Sequence, residues 1–541
     1  MKILMAEQMR RIDELTVERC AIPYLTLMET AGSRVVEAIF DQFSGRKFER
    51  FVIICGKGNN GGDGAVVARQ LWLRKSGLIE VCLVGSIDEM GGAARTNMEI
   101  VRNLAGMDQS LRFMELSDGG GGLESRSGRL DGMVVIDAIL GTGMSRPAEG
   151  AVAVAIESIN RMKKAGATVV SVDLPSGVAS DEGRFIGLHV EADLTVTFTA
   201  PKIGNLINPA AEANGRLVIA SIGTPESLIG EESSWSGGMA GMELIEECQV
   251  RDWLESSRRG SMAHKGATGS VLLLAGSSGK TGAAALASGA VLRAGAGLVT
   301  VATPATALPL LVAQADSEVM TEPLVETAGG AVGIDAFETI ARLALTKDIL
   351  AIGPGLSSGE DSVRQLVRLL VETRKLPLVI DADGLNALAP WPAELKGSDE
   401  FPIIITPHPG EMARLMGVKT IEIEADRIGV ARDLARRQHL IVVLKGSRTL
   451  IAEPGGSVFV NPTGNAGMAT AGAGDVLTGM VAGLLAQRSV PALGAVLASV
   501  YLHGLAGDLA AAASGQRSMI ASNIRDLIGD AITMVAGEVE K

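Results

Sequence analysis

Short apolar runs rich in β-branched residues alternate with amphipathic stretches along almost the whole chain, and few folds accept that pattern. FVIIC (51–55), a glycine loop, an amphipathic segment to about residue 76 and IEVCLV together predict a strand, a helix and a second, parallel strand. Helical periodicity at 6–20 and 27–42 precedes this unit. The alternation continues through MVVID (133–137), a helical stretch at 151–164, TVVSVD (168–173), LTVTF and RLVIA. It predicts a mostly parallel sheet with helices on both faces, a Rossmann-like three-layer αβα domain. A second series, SVLLLAG, LVTVA, ILAIG, PLVID, PIIIT, LIVVLKG and the pair RTLIAE and SVFV, predicts another layered α/β domain. Single cores rarely exceed roughly 250 to 300 residues, so a chain of 541 residues implies two. The composition shift in TPESLIGEESSWSGGMAGM (224–242) marks the junction. The expected domains are 1–225 and 244–541, joined by a linker at 226–243, and SDGGGGLESRSGR (117–129) reads as a surface insertion.

Charge narrows the partners. A net charge of −13 repels nucleic acid and anionic membranes at long range, so a phosphate ligand must be held by local amides, a metal or a few placed cations. The expected partners are small molecules, with no nucleic acid and no membrane, and the chain is expected to form a homo-oligomer. Cys20, Cys55, Cys82 and Cys248 show neither a CxxC pair nor zinc spacing and read as reduced thiols. The opening MKILMAEQMRRIDE reaches charge too early for a secretory signal, and a cytoplasmic location is expected.

In the N-terminal half, GKGNNGGDG (56–64) follows a buried strand and opens a helix, where free amides and the helix dipole receive an anion. It lacks both the Walker lysine and ordinary dinucleotide-fingerprint spacing, and its bland reading is a tight βα turn. DAILGTGMSRPAEG and DLPSG follow two further strands. The carboxyl ends of parallel strands converge on one crevice, so Asn60, Asp137, Asp173 and Ser176 can meet there, although each aspartate alone could be a helix cap. With FTAPKIG, these motifs make residues 1–225 resemble the NAD(P)H-hydrate epimerases. The resemblance implies that Asn59, Asn60, Gly61, Gly62 and Asp63, and Gly141, Thr142, Gly143, Met144, Ser145, Arg146 and Pro147, contact the dinucleotide. It further implies that Asp173 is catalytic at the reacting ring, and that Asn60, Asp137 and Ser176 hold potassium.

The C-terminal half carries NPTGNAGMATAGAGDVLTGM (461–480), in which small residues precede Asp475 at the start of an apolar helix. Such a start lets backbone amides approach a transferring phosphoryl group, with the aspartate placed to take a proton from the attacking hydroxyl. This resembles the anion hole and base of ribokinase-like enzymes; a first-turn helix charge is the plain alternative. IIITPHPGEMARL (403–415) resembles the segment by which those enzymes place magnesium, usually through water, which implicates Glu411. VVLKGSRT adds a lysine at a strand end. GSSGKTG (276–282) has glycines too closely spaced for a P-loop.

The combination of HKGATGSVLLLAGSSGKTGAAALASGAVLRAGAGLVTVATP, GPGL, TPHPGE and NPTGN resembles the ADP-dependent NAD(P)H-hydrate dehydratases over about residues 245–541. By that resemblance Ala283, Gly355 and His408 contact the hydrate, Asp475 is catalytic on its hydroxyl, and Lys445, Gly446, Ser447, Arg448, Thr449 and Gly474 bind the nucleotide. Ala473 stands where the family more often has Thr, Ser or Met; the functional group there is the backbone amide. The two resemblances converge on one substrate, hydrated NADH and NADPH, with ADP or ATP as phosphoryl donor and Mg2+ and K+ as ions. Two rivals remain: a hydroxyl kinase fused to an unrelated nucleotide-binding domain, and a noncatalytic epimerase-like module of the kind found in mRNA-decapping scaffolds.

Overall fold

A computed structural model describes residues 1–116, 130–144, 146–234, 241–487 and 491–537. The glycine-rich insertion 117–129, Ser145 and residues 235–240 of the expected linker lie outside the described residues. The chain divides into two compact units, Lys2–Gly238 and Met239–Lys541.

In the first unit the strands lie in the order Leu111–Leu116, Leu78–Val84, Arg50–Cys55, Met133–Ala138, Thr168–Val172, Leu194–Phe198 and Arg216–Ala220, all paired in parallel. Their near-continuous apolar sequences follow from burial on both faces. Phe51, Ile53 and Cys55 enter one core with Val35, Ile39, Val66 and Leu71, whereas Val52 and Ile54 enter another with Val135, Ile156 and Ile159. Strand order reverses between Arg50–Cys55 and Met133–Ala138, so the loops after these two strands bound the crevice where open α/β sheets bind ligands.

Two elements of this unit depart from the sequence reading. Leu111–Leu116 is an edge strand whose Arg112 and Glu115 face solvent, which interrupts the apolar pattern. The expected linker begins with a helix, Glu226–Ser234, in which Leu228 is buried and Ile229 packs against Leu4, Met9 and Ile12. Its small apolar face is too short to stand out from the acidic residues around it.

The second unit orders its strands Met242–Leu244, Val458–Val460, Leu450–Ala452, Ile441–Leu444, Ile403–Ile405, Leu378–Ile380, Ile349–Ile352, Ser270–Leu274, Leu298–Pro304 and Met320–Leu324. From Ile441–Leu444 onward the pairs are parallel, and Leu450–Ala452 forms antiparallel pairs with both its neighbours. Order reverses between Ile349–Ile352 and Ser270–Leu274. The helices Thr281–Arg293 and Ala473–Ala486 cross with their backbones close, because Gly479 and Gly483 face the carbonyl oxygens of Ala287 and Val291. A side chain at Gly479 would collide with backbone, which cannot give way as a flexible side chain can. Gly479→Val should therefore destabilise this unit toward the upper end of the about 1–3 kcal/mol typical of overpacking, read as a lower midpoint in thermal or urea unfolding.

Helix Ala492–Ser514, with 23 residues, is apolar and long enough to cross a membrane by composition, yet 67% of its most apolar window is buried within the structure. Val496, Leu502, Ala506 and Ala510 belong to the core of the second unit.

Candidate functional sites

At the first reversal point, strand Arg50–Cys55 delivers the chain into a tight loop and the helix Asn59–Leu73. Gly56 and Gly61 close that turn: a side chain at Gly56 would strike the Ile139 carbonyl, and one at Gly61 would strike the Gly56 carbonyl. The loop opens onto a cavity of about 730 Å³ whose wall includes Asn59, Asn60, Asp63, Gly141, Thr142, Gly143, Met144 and Asp173. Those expected contacts are thus brought together. Gly61 and Gly62 serve packing, Gly62 against Met28 and Ala94, and with Arg146 and Pro147 they do not line the cavity. Ser145 is outside the described residues.

Asp137 is fully buried and accepts hydrogen bonds from Ser171 Oγ at 2.9 Å, Ser176 N at 2.8 Å and Ser176 Oγ at 2.6 Å. Burial pushes its carboxyl up and the Ser176 bonds pull back. Ser176 Oγ also accepts from Leu140 N at 2.9 Å. Asn60 lies next in line, its side chain within van der Waals reach of the Gly141 position. Both polar atoms of its buried amide lack a hydrogen-bond partner among the described residues. Asp173 Oδ2 lies 3.5 Å from that same Gly141 position, and an orphaned amide oxygen, a serine hydroxyl and a carboxylate are the donor types that fit a hard cation.

Asp173 ends its strand in the left-handed region, with φ of 66°, a conformation uncommon for a non-glycine residue and enriched at functional sites. Its Oδ1 accepts from Lys202 Nζ at 2.6 Å and Thr197 Oγ1 at 2.9 Å, and Asn205 Nδ2 donates to its carbonyl at 3.2 Å. Lys202, 1% exposed, also donates to Thr197 Oγ1 and the Phe198 carbonyl. Two more carboxyls share this cavity. Asp63 is driven well above the usual range, by desolvation first and by Asp173 and Asp13 second. Burial raises Asp13 to about 6, with Lys202 opposing. Neither Lys202, inside FTAPKIG, nor Asp13, inside MRRIDE, stands out in the sequence; the only signal is a lysine held in an apolar strand-end loop.

The second site gathers at the start of helix Ala473–Ala486, where Gly472, with φ of 91°, turns the chain into the helix. Lys445 Nζ lies 3.1 Å from the position a side chain on Gly474 would occupy. It donates to Asp381 Oδ1 at 2.7 Å and stands 3.8 Å from Glu411 Oε2. Burial disfavours its charge, but Asp381 and Glu411 outweigh that and hold the ammonium above its ordinary pKa. Asp381 accepts a second bond from Thr478 Oγ1 at 2.7 Å. Asp475 is raised to about 7, by burial first and by the charge of Asp381 second. Behind the helix start, buried His503 donates through Nε2 to the Ala473 carbonyl at 3.0 Å, and burial lowers it to about 4, so it stays neutral.

The other expected residues flank this network. His408 caps the helix Pro409–Met416, its Nδ1 accepting from Gly410 N at 3.0 Å, while Glu411 Oε2 accepts from His408 N at 2.8 Å. Gly355, with φ of 65°, leaves 3.2 Å between its own missing side chain and the Ala283 methyl, so those two meet across the second reversal point. Gly446 has φ of 146° and turns the 445–449 loop, which Arg427 braces by donating to the Ser447 carbonyl at 2.8 Å. Arg448 donates to the Pro462 carbonyl, and Thr449 Oγ1 to the Gly446 carbonyl at 3.1 Å. Asp381 and Asp383, whose charge also raises Asp475, were not singled out from the sequence. Their signal was a strand, PLVI, ending in DADG.

Comparison with known proteins gives matches to both halves. The family described as "YjeF-related protein N-terminus" matches residues 25–204, and that described as "NAD(P)H-hydrate dehydratase" matches residues 271–529. A bifunctional NAD(P)H-hydrate repair enzyme Nnr from Moorella thermoacetica is 43% identical, covering 100% of this chain and 98% of that protein. The enzyme of the same description from Escherichia coli is 33% identical, covering 96% of this chain and 92% of that protein. Among solved structures, the ADP/ATP-dependent NAD(P)H-hydrate dehydratase from Bacillus subtilis, co-crystallized with ATP/Mg2+, is 34% identical with a TM-score of 0.48. It spans 54% of this chain and 98% of its own.

Proposed function

This chain belongs to the bifunctional NAD(P)H-hydrate repair enzymes, which join an epimerase to a dehydratase, and we propose a division of that work between the two sites described above. The N-terminal cavity interconverts the R and S hydrates, and the C-terminal site dehydrates the S form at the expense of ADP or ATP. The single observation that carries the second half is the placement of Asp475 in the first turn of helix Ala473–Ala486, at the helix's backbone amides, with its carboxyl raised to about 7.

In the C-terminal site the hydrate hydroxyl attacks the terminal phosphorus of the nucleotide as Asp475 takes its proton, and the bond to the nucleotide's bridging oxygen breaks. Hydroxide is a poor leaving group; a phosphate ester beside a ring nitrogen is a good one. The nitrogen lone pair expels phosphate, and loss of a proton from the neighbouring carbon restores the dihydronicotinamide. The amides near Gly474 and the Lys445 ammonium face the charge that develops. Lys445, Gly446, Ser447, Arg448 and Thr449 form the nucleotide loop in this reading, and Ala283, Gly355 and His408 border the hydrate.

Glu411 and Asp381 place two carboxylates near one lysine, an arrangement that fits Mg2+ retained mainly through water and phosphate oxygens. Mg2+ would supply charge neutralisation on the transferring phosphoryl group. In the N-terminal site, Asn60, Asp137 and Ser176 would hold K+, which would supply a fixed positive charge near the dinucleotide. Asp173, oriented by Lys202 and Thr197, shuttles a proton to and from the hydroxyl oxygen on the carbon beside the ring nitrogen.

The two ion dependences should separate. With potassium held constant, a magnesium chelator should stop nucleotide-dependent recovery of NADH from its hydrate and leave exchange between epimers unchanged. Replacing potassium with a large organic cation should slow the exchange alone. Undiminished recovery under chelation would remove Mg2+ from the C-terminal site.

A further inference from the structure

The epimerase reading names one proton-transfer residue, Asp173, yet inverting a carbon that bears a hydroxyl needs two proton transfers: one to the departing oxygen and one from the arriving oxygen. Asp13 supplies a group for the second. It sits on helix Ala6–Cys20, which Met9 and Ile12 pin into a small core with Leu4 and Ala200, so the carboxyl is delivered by a packed element. It lines the same cavity as Asp173 and Lys202. Its Oδ1 is buried and has no hydrogen-bond partner among the described residues. A buried, unpaired carboxylate oxygen is costly, and a proton or a bound hydroxyl relieves that cost.

We propose that Asp13 is a second acid–base residue of the epimerase site, and that it and the ion-paired Asp173 divide the two proton transfers between them. The proposal rests on the epimerase reading of this cavity. Asp13, as the acid, gives its proton to the hydroxyl on the carbon beside the ring nitrogen. That carbon–oxygen bond breaks, water departs, and the nitrogen lone pair forms a carbon–nitrogen double bond. Water then adds to the opposite face, the double-bond electrons return to nitrogen, and the spare proton passes to the Asp173 carboxylate. The reverse turnover begins with the proton on Asp173 and returns it to Asp13; between two forward turnovers Asp173 gives its proton to solvent and Asp13 takes one up, so no other reactant is consumed.

The surroundings suit a carboxyl that alternates between the two forms. Arg10 and Glu14 come from its own helix, Tyr24 from the next helix and Asp63 from helix Asn59–Leu73, with Asp173 and Lys202 lining the same cavity. The Lys202 ammonium already donates to Asp173 at 2.6 Å, which leaves Asp13 to depend on burial. Burial holds it at about 6, within reach of protonation near neutral pH.

The test uses the full chain with chemically hydrated NADH in the absence of nucleotide, following exchange between separated epimers and subtracting the spontaneous rate. Asp13→Asn should slow exchange by about 10²-fold or more, while Asp13→Glu should keep a substantial part of it. Nucleotide-dependent dehydration of the S hydrate by the same preparations should be unchanged, which verifies the second unit, and an unchanged melting transition of the first unit verifies the fold around Asp13. Wild-type exchange should fall as pH rises through about 6, where Asp13 loses its proton, and the residual exchange of Asp13→Asn should lack that limb. Exchange at the wild-type rate in Asp13→Asn overturns the proposal. So does a slowed Asp13→Asn that keeps the wild-type pH profile while Asp13→Glu is equally slow, because that marks a purely structural role. A wild-type protein that exchanges no epimers overturns the epimerase reading itself, and this proposal with it.

Discussion

Asp475→Asn should reduce nucleotide-dependent dehydration by about 10² to 10⁴-fold while nucleotide binding and epimer exchange stay near wild type. The substitution keeps the shape of the side chain and removes only its capacity to take a proton. In the wild type that capacity depends on pH. Asp475 is raised to about 7, so it becomes a base only as pH rises through that value, and turnover should climb through the same range and level off above it. The sign for stability is opposite to that of a paired carboxylate. A carboxyl whose folded pKa is raised costs the fold stability when it ionises, so the asparagine variant should melt no lower than wild type at pH 8 or so. A residue that only charged the first helical turn would behave differently: its loss would cost up to about 1 kcal/mol of stability and leave turnover alone. Melting, nucleotide affinity and single-turnover rate on one preparation separate the two.

Asp173→Asn should be comparably severe for the other reaction. Asp173 is held by Lys202, Thr197 and Asn205 in a strained backbone conformation, so its geometry is set before substrate arrives. The asparagine should lose epimer exchange by about 10² to 10⁴-fold and leave dehydration of purified S hydrate intact. It also leaves Lys202, which is 1% exposed, without its anionic partner, a change that destabilises by several kcal/mol when a buried pair is broken. A lower melting point for the first unit is therefore expected along with the kinetic loss. Lys202→Met, which removes the other partner, should slow exchange less than Asp173→Asn because it spares the proton acceptor.

The parts of both sites legible in the sequence are those whose chemistry is local. GNNGGDG, DAILGTG and AGAGD are read as loops at strand ends because glycine and small residues suit the backbone there, as the crowding at Gly56 and Gly61 and the φ of 91° at Gly472 bear out. Residues that act through distant partners left little trace. Lys202 finds Asp173 29 residues away, Lys445 finds Asp381 64 residues away, and Thr478 finds Asp381 97 residues away. A lone charge beside an apolar run reads as a solvated strand end until the fold shows what faces it. Edge strands were missed for a related reason. Leu111–Leu116 and Met320–Leu324 border solvent, so their sequences lack the unbroken apolar character that marks the central strands.

The central claim is that two separate sites in one chain clear both epimers of a damaged dinucleotide pool. It is tested most directly by supplying an equilibrated mixture of R and S NADH hydrate with ADP or ATP and Mg2+, and following the return of dihydronicotinamide absorbance. Wild type should recover the whole pool in one enzymatic phase. Asp173→Asn should recover the S fraction quickly and the remainder only at the spontaneous epimerisation rate, and added Asp475→Asn protein, inactive alone, should restore the fast phase. Full recovery by Asp173→Asn at the wild-type rate, or no recovery by wild type with either nucleotide, would contradict the account.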